Sequence, residues 1–134
     1  MASIFTKIIQ GDIPSYKIAE NEEFFAFLDI SPLSVGHTLV VPKLEVDYIF
    51  DIEDDVLGRM MTFSKKVAKA IELVVSCNRI GVSVIGLEVP HAHIHLIPIN
   101  GMGDMNFANP KLKLTPEEFE EVSENIRITF EGLI

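Results

Sequence analysis

Cysteine is almost missing from this chain: Cys77 is the only one in 134 residues. A single thiol rules out an internal disulfide and suits a reducing compartment, so a cytoplasmic protein is expected. It also leaves no Cys-x-x-Cys pair to grip a metal. Positive charge is in short supply as well. The 11 lysines and arginines face 20 aspartates and glutamates, for a formal net charge of −9. A nucleic acid polymer needs a basic surface and is excluded as a partner, whereas a single nucleotide needs only a local cationic pocket. No apolar run approaches the ~20 residues of a membrane span, so no membrane partner is expected. The N-terminus mixes Lys7 and Asp12 among its apolar residues and does not read as a signal peptide. Repeats and dividing linkers are absent too, which points to one domain over residues 1–134. A chain of this size buries roughly two-thirds of its unfolded surface, and a hydrophobic fraction of 48% is enough to fill that core.

Histidine is also sparse, yet three of the four fall in His91-Ala92-His93-Ile94-His95-Leu96-Ile97-Pro98. The alternation with apolar residues reads as a strand. Side chains at i and i+2 of a strand share a face, ~6.5–7 Å apart. One face therefore carries three imidazoles, and the other carries Ala92, Ile94 and Leu96. A lone histidine on a strand is ordinarily structural. Three on one face are harder to explain that way, because imidazole is costly to bury without partners. Two functional readings follow. The row can chelate a metal, although His37 is the only further imidazole and no cysteine pair supports it. Or the row works on an anion: near neutral pH one ring attacks while its neighbours bind charge and move protons.

The rest of the chain supplies the surrounding elements. Residues 3–10 read as a short helix or turn ended by Gly11 and Pro14, with Phe5 and Ile8 on one face. Residues 15–20 and 24–28 read as strands joined through Asn21-Glu22-Glu23. Asp29 follows, placed either to cap a turn or to accept a pair of ribose hydroxyls with its two oxygens. Gly36 to Pro42 is a third strand with His37 at its start, and Lys43 beyond it reads as solvated. Asp51 to Ser76 is the long helix. Asp51, Asp54 and Asp55 suit its N-terminal end, and Leu57, Met60, Ser64, Val67, Ile71 and Val74 form its core stripe. Arg79 to Val84 is a fourth strand, antiparallel to the histidine strand. Gly86 suits either a tight turn or a close approach of backbone to phosphate. Residues 100–113 form a long loop that folds over a site or wraps a second copy. Thr115, Pro116 and Glu118 open a last helix as N-cap, first-turn proline and capping box.

His91-x-His93-x-His95 with apolar fillers resembles the signature of the histidine triad (HIT) superfamily of nucleotide hydrolases and transferases. Ile4-Phe5-Thr6-Lys7-Ile8-Ile9-x-Gly11-x-Ile13-Pro14 resembles the family's opening segment. Phe25 to Pro32 and Gly36 to Lys43 resemble its central hairpin, in the family's order. The resemblance implies an α+β fold: an antiparallel five-stranded sheet, one long central helix and a C-terminal helix, assembled as a homodimer. It implies hydrolysis of a nucleoside phosphoramidate or dinucleoside polyphosphate through a covalent nucleotidyl-His93, releasing a nucleoside monophosphate. The ligand is a purine nucleotide or a nucleotide conjugate, and no cofactor is required. His93 matches the nucleophile, and His91, His95 and His37 match the histidines around the phosphate. Asp29 matches the acid that bonds the ribose hydroxyls. Phe5, Ile8, Phe27, Leu28 and Ile30 match positions that enclose the base. Ser83, Glu88 and Val89 complete the nucleotide-binding candidates.

The chain also departs from that pattern. Many bacterial relatives hold a structural zinc through two cysteines and two histidines. Here Ser3, Thr6 and Glu45 stand at three of those positions, which implies no metal. The stretch before the triad reads Ile85-Gly86-Leu87-Glu88-Val89-Pro90, shorter than the family's, with Leu87 where a hydrogen-bonding glutamine is usual. Two alternatives therefore stay open: a purine-nucleotide-binding regulatory dimer with weak or no catalysis, and a metal-binding module built on the histidine row.

Overall fold

The structure is a computed structural model that describes residues 2–133. Its elements, in chain order, are α1 (Ile4–Ile9), β1 (Lys17–Glu20), β2 (Phe24–Leu28), β3 (Thr38–Pro42), α2 (Asp54–Val74), β4 (Arg79–Ser83), β5 (Ile94–Ile99) and α3 (Pro116–Gly132). The strands form one antiparallel sheet in the order β1-β2-β3-β5-β4. This is the α+β architecture that the resemblance implied.

Alternation assigns the two faces. Phe24, Ala26, Leu28, Val40, Ile94 and Leu96 point to one side, into the main core beneath α2 and α3. Phe25, Phe27, Leu39 and Val41 point to the other, where they meet Phe5 of α1. Every residue of β2 and β3 is buried, so both are central strands covered on both faces. In α2 the buried set is Met60, Phe63, Ser64, Val67, Ala70 and Ile71. Phe63 and Ala70 widen the expected stripe, while Leu57 and Val74 lie at its margins. Ser64 sits on that apolar face because its hydroxyl donates to the Met60 carbonyl at 2.8 Å. α3 starts as expected. Thr115 accepts from the Glu118 amide at 3.1 Å, and Glu118 accepts from the Thr115 amide at 2.9 Å.

Several boundaries differ from the sequence reading: β1 starts at Lys17 and β3 at Thr38, α2 ends at Val74 and β4 at Ser83, and two further shifts have a cause elsewhere in the fold. The long helix begins at Asp54, not Asp51, because Ile52 is extended and buries its side chain in the core. Ile49–Asp51 form a separate 3-10 turn before it. The histidine strand begins at Ile94, not His91. Pro42 stands where the β3–β5 register would place a partner for Ala92, and proline has no N–H to offer. The Ala92 amide bonds Val46 instead, at 2.7 Å. The histidines still share one side of the sheet, but only His95 reaches it through ladder pairing.

Gly36 aims His37 into this face. It holds φ +92, and a Cβ there would lie 2.9 Å from Val75 Cγ2. Gly36→Ala should therefore destabilise the protein by about 1–3 kcal/mol, the range for a strained backbone position, read as a lower midpoint in urea unfolding.

Candidate active site

The four histidines line up across the second face of the sheet, and each has its protons assigned by fixed neighbours. His91 is fully buried. Its Nε2 lies 2.7 Å from the Pro42 carbonyl, an acceptor only, so Nε2–H donates there. Its Nδ1 is then the bare nitrogen and accepts from the Ser3 hydroxyl at 2.7 Å. His93 Nδ1 lies 2.8 Å from the His91 carbonyl, so the proton sits on Nδ1 and the lone pair on Nε2. The Leu33 amide donates to His37 Nδ1 at 3.0 Å, so His37 carries its proton on Nε2. That Nε2–H meets His95 Nδ1 at 3.0 Å, and His95 in turn is left with an Nε2–H. A backbone carbonyl and a backbone amide thus decide which nitrogen of His93 attacks and which nitrogen of His95 donates.

These rings border a cleft of about 490 Å³, a size that suits a small-molecule ligand. His37, His93 and His95 line it along with Asp29, and Phe5 closes one end. Phe5 meets the His93 ring edge-on at 5.0 Å. Burial holds both inner imidazoles neutral. His37 is pushed down to about 3 by desolvation, with the His95 charge adding to it. His95 is pushed down to about 4 for the same leading reason. The His91 ring is lowered by burial too, in spite of its bond to Pro42. Burial raises the Asp29 carboxyl, opposed by the Ser31 amide and by Lys111. Asp29 Oδ1 accepts that amide at 2.8 Å and so does cap the turn. Oδ2 remains, 3.6 Å from His37 Nε2 and facing the cleft.

Asp29, His37 and His95 bring three ligand-type atoms within 4.8 Å of one another. The donor set does not fit a cation. A metal would need the His37 lone pair on Nε2, but the Leu33 amide holds that lone pair at Nδ1. Ser3, Thr6 and Glu45 also converge, around His91, and they bond to one another. Glu45 accepts from the Ser3 amide and the Thr6 hydroxyl, each at 2.6 Å.

The other candidates fall into place around this geometry. Glu88 and Val89 line the cleft. Phe27 and Ile8 back Phe5 from the second core cluster without lining it. Leu28 faces the opposite side of the sheet, in the main core, so the side-chain alternation of β2 removes it from the base-enclosing set. Ile30 is exposed on the loop beyond Asp29 and is not among the lining residues. Ser83 pairs with His95 in the ladder and shares its face but stands outside the cleft. Lys43 does not line the cleft: it is half-buried at the surface, where it pairs with Glu20 at 2.6 Å.

Besides Ile4, Ser31, Leu39 and Ile85, the sequence reading missed two lining residues from one distant loop, Phe107 and Lys111. Both come from the loop after β5, which indeed folds over the site. The Leu112 amide ties this loop to the Pro32 carbonyl at 2.9 Å. Phe107 lies edge-on to His95 at 4.8 Å. Lys111 is the one fixed cation among the residues lining the cleft. Its ammonium donates to the Asn109 carbonyl at 3.0 Å and to that of Phe107. The signal for Lys111 was the arithmetic itself: an anion site in so acidic a chain needs a local cation.

Comparison with known proteins agrees with this geometry. Residues 10–102 match the HIT domain. The chain is 37% identical to "Protein hit" of Bacillus subtilis over 133 residues, covering 92% of this chain and 90% of that one. It is 36% identical over 132 residues to adenosine 5'-monophosphoramidase hnt1 of Schizosaccharomyces pombe, covering 94% and 96%. A crystal structure of a Hit-like protein from Bartonella henselae superposes with a TM-score of 0.81 at 30% identity, covering 95% of each chain. The chain belongs to the HIT family.

Stability carried by His37 and His95 should fall with falling pH. Their folded pKa values lie below that of a free imidazole, about 6.5. Protons therefore bind the unfolded chain first, from about pH 6.5 downward, and folding weakens toward pH 3. Long-range ¹H–¹⁵N spectra should show both rings still neutral at pH 5, each with its proton on Nε2.

Proposed function

We infer that this protein is a nucleotide hydrolase that cleaves a purine nucleoside phosphoramidate or a dinucleoside polyphosphate through a covalent nucleotidyl-His93. The observation that carries the reading is the 2.8 Å bond from His93 Nδ1 to the His91 carbonyl. It leaves Nε2 unprotonated on a ring that lines the cleft. The fungal relative named as an adenosine 5'-monophosphoramidase supports the substrate class.

The chemistry follows from the proton assignments. The lone pair on His93 Nε2 attacks the α-phosphorus, forming an N–P bond. The P–N or P–O bond to the leaving group breaks, and an amine leaving group takes a proton from solvent. His95 Nε2–H donates to a non-bridging phosphate oxygen, and His37 holds His95 in the tautomer that makes this possible. Water then attacks the same phosphorus, the N–P bond breaks, and the nucleoside monophosphate leaves. Such transfers are mostly a matter of positioning and charge stabilisation, so neutral, rigidly held rings suffice. Asp29 Oδ2 takes the ribose hydroxyls, and Lys111 offsets its charge beside the phosphate. The acting species is a homodimer in the cytoplasm, with no cofactor in the reaction.

One observation favours a second reading, a nucleotide-binding regulator with weak catalysis. Leu87 lines the cleft and is 88% exposed, and its side chain has no polar group to offer an anion.

His93→Ala should abolish AMP release from adenosine phosphoramidate, at least a thousandfold, and keep AMP binding within about threefold. Intact-protein mass after a brief incubation, quenched without acid, should show a nucleotidyl adduct in the wild type only. AMP binding with neither adduct nor release across purine substrates would favour the regulator. Asp29→Asn should weaken binding of AMP about tenfold and leave 2',3'-dideoxy-AMP nearly unchanged, as titration calorimetry would show; one ribose hydrogen bond to a charged group is worth about that much.

A further inference from the structure

Outside the cleft, around the buried His91 ring, lies a polar cluster that the reaction does not touch. Its members are far apart in sequence, Ser3 and Thr6 at the start of α1 and Glu45 after β3. Glu45 accepts twice at 2.6 Å, from the Ser3 amide and from the Thr6 hydroxyl. The Ser3 hydroxyl caps α1 by accepting from the Thr6 amide at 3.1 Å and gives its own proton to His91 Nδ1 at 2.7 Å. Two residues on from Ser3, Phe5 meets both rings edge-on, 5.8 Å from His91 and 5.0 Å from His93. His91 uses both ring nitrogens on protein partners and is fully buried, so it has none left for a substrate.

We propose that Ser3, Thr6 and Glu45 form a latch that positions the His93 nucleophile from outside the cleft. The latch acts along two routes. Through the Ser3 hydroxyl it fixes His91, whose carbonyl holds His93 Nδ1–H. Through the first turn of α1 it seats Phe5 against the His93 ring edge. His91 is on this account a positioning residue, and Glu45 is the anchor of the set. The accepted hydrogen bonds hold the Glu45 carboxyl down at about 2, so the anchor stays charged across the working pH range. A helix of six residues has little stability of its own, which is why its seat depends on such side-chain bonds.

The activity arm of the test rests on the proposed nucleophilic role of His93; the spectroscopic arm does not. Ring-¹⁵N histidine spectra of ligand-free protein should show single, sharp signals for His91 (proton on Nε2) and His93 (proton on Nδ1). In Glu45→Ala both sets should broaden or double, and kcat for adenosine phosphoramidate should fall at least about tenfold with KM within threefold. Misplacing an attacking group by an ångström is worth that and more. Glu45→Gln keeps an acceptor oxygen in the same place and should return kcat to within about threefold of wild type. If Glu45→Ala does not fold, Ser3→Ala removes only the hydroxyl and should give the same ring signature. Wild-type ring signals in a folded Glu45→Ala or Ser3→Ala protein overturn the latch, whatever happens to kcat. Perturbed rings with kcat unchanged overturn its link to catalysis. A wild-type protein that turns over no purine substrate overturns the proposed function instead and leaves the ring comparison to decide the latch.

Discussion

The hydrogen bond from His93 Nδ1 to the His91 carbonyl is the constraint on which the site depends. An imidazole has two nitrogens and, when neutral, one proton between them. A backbone carbonyl can only accept, so the proton is held at Nδ1 and the lone pair is left at Nε2. The same logic runs through the other rings. The Pro42 carbonyl sets His91, and the Leu33 amide sets His37, which sets His95. Four tautomers are specified by three backbone groups. Only Pro42 belongs to a strand; Leu33 and His91 lie in the segments that lead into β3 and β5, so the tautomers depend on loop backbone held against the sheet.

Burial supplies the second requirement. A cationic histidine has no lone pair to attack with, and a mixture of charge states would blur the roles. Desolvation beneath α1 and the post-β5 loop keeps His37 and His95 neutral, well below their ordinary range. The cost of burying these polar rings is offset by partners: His91 is bonded at both ring nitrogens, His37 at both, and His93 and His95 at Nδ1, which leaves their Nε2 atoms for a ligand. The overall charge of −9 is then no obstacle to a phosphate ligand, because the electrostatics that matter are local. In the cleft wall they consist of ring N–H donors and Lys111.

Some elements were legible because their cause is local. Thr115, Pro116 and Glu118 announce a helix start through bonds spanning only three residues. The strands β2 and β3 announce themselves as near-continuous apolar runs, as suits strands covered on both faces. The three histidines announce a common face because strand geometry has a period of two, and the family motifs extended that to fold and membership. Other features were hidden because their cause lies at a distance. The helix start moved to Asp54 because Ile52 fills the core. The histidine strand was shortened because Pro42, on another strand, has no N–H to give. Leu28 is a different case: the period of two along β2 puts it on the face opposite Phe27, so a local pattern already turned it away from the cleft. Phe107 and Lys111 look like ordinary loop residues until the Leu112–Pro32 bond lays their loop across the rings.

The sequence by itself determined the strand pattern, the helix caps, the histidine row and the HIT motifs, since each rests on spacing along a few consecutive residues. Only the tertiary structure decided which nitrogen of each ring carries the proton, which residues wall the cleft, and that Ser3 and Glu45 stand behind His91. Those outcomes depend on groups up to 88 residues apart in the chain, as Ser3 and His91 are. Hydrogen bonds act over about 3 Å, and no local pattern encodes which distant groups will come that close.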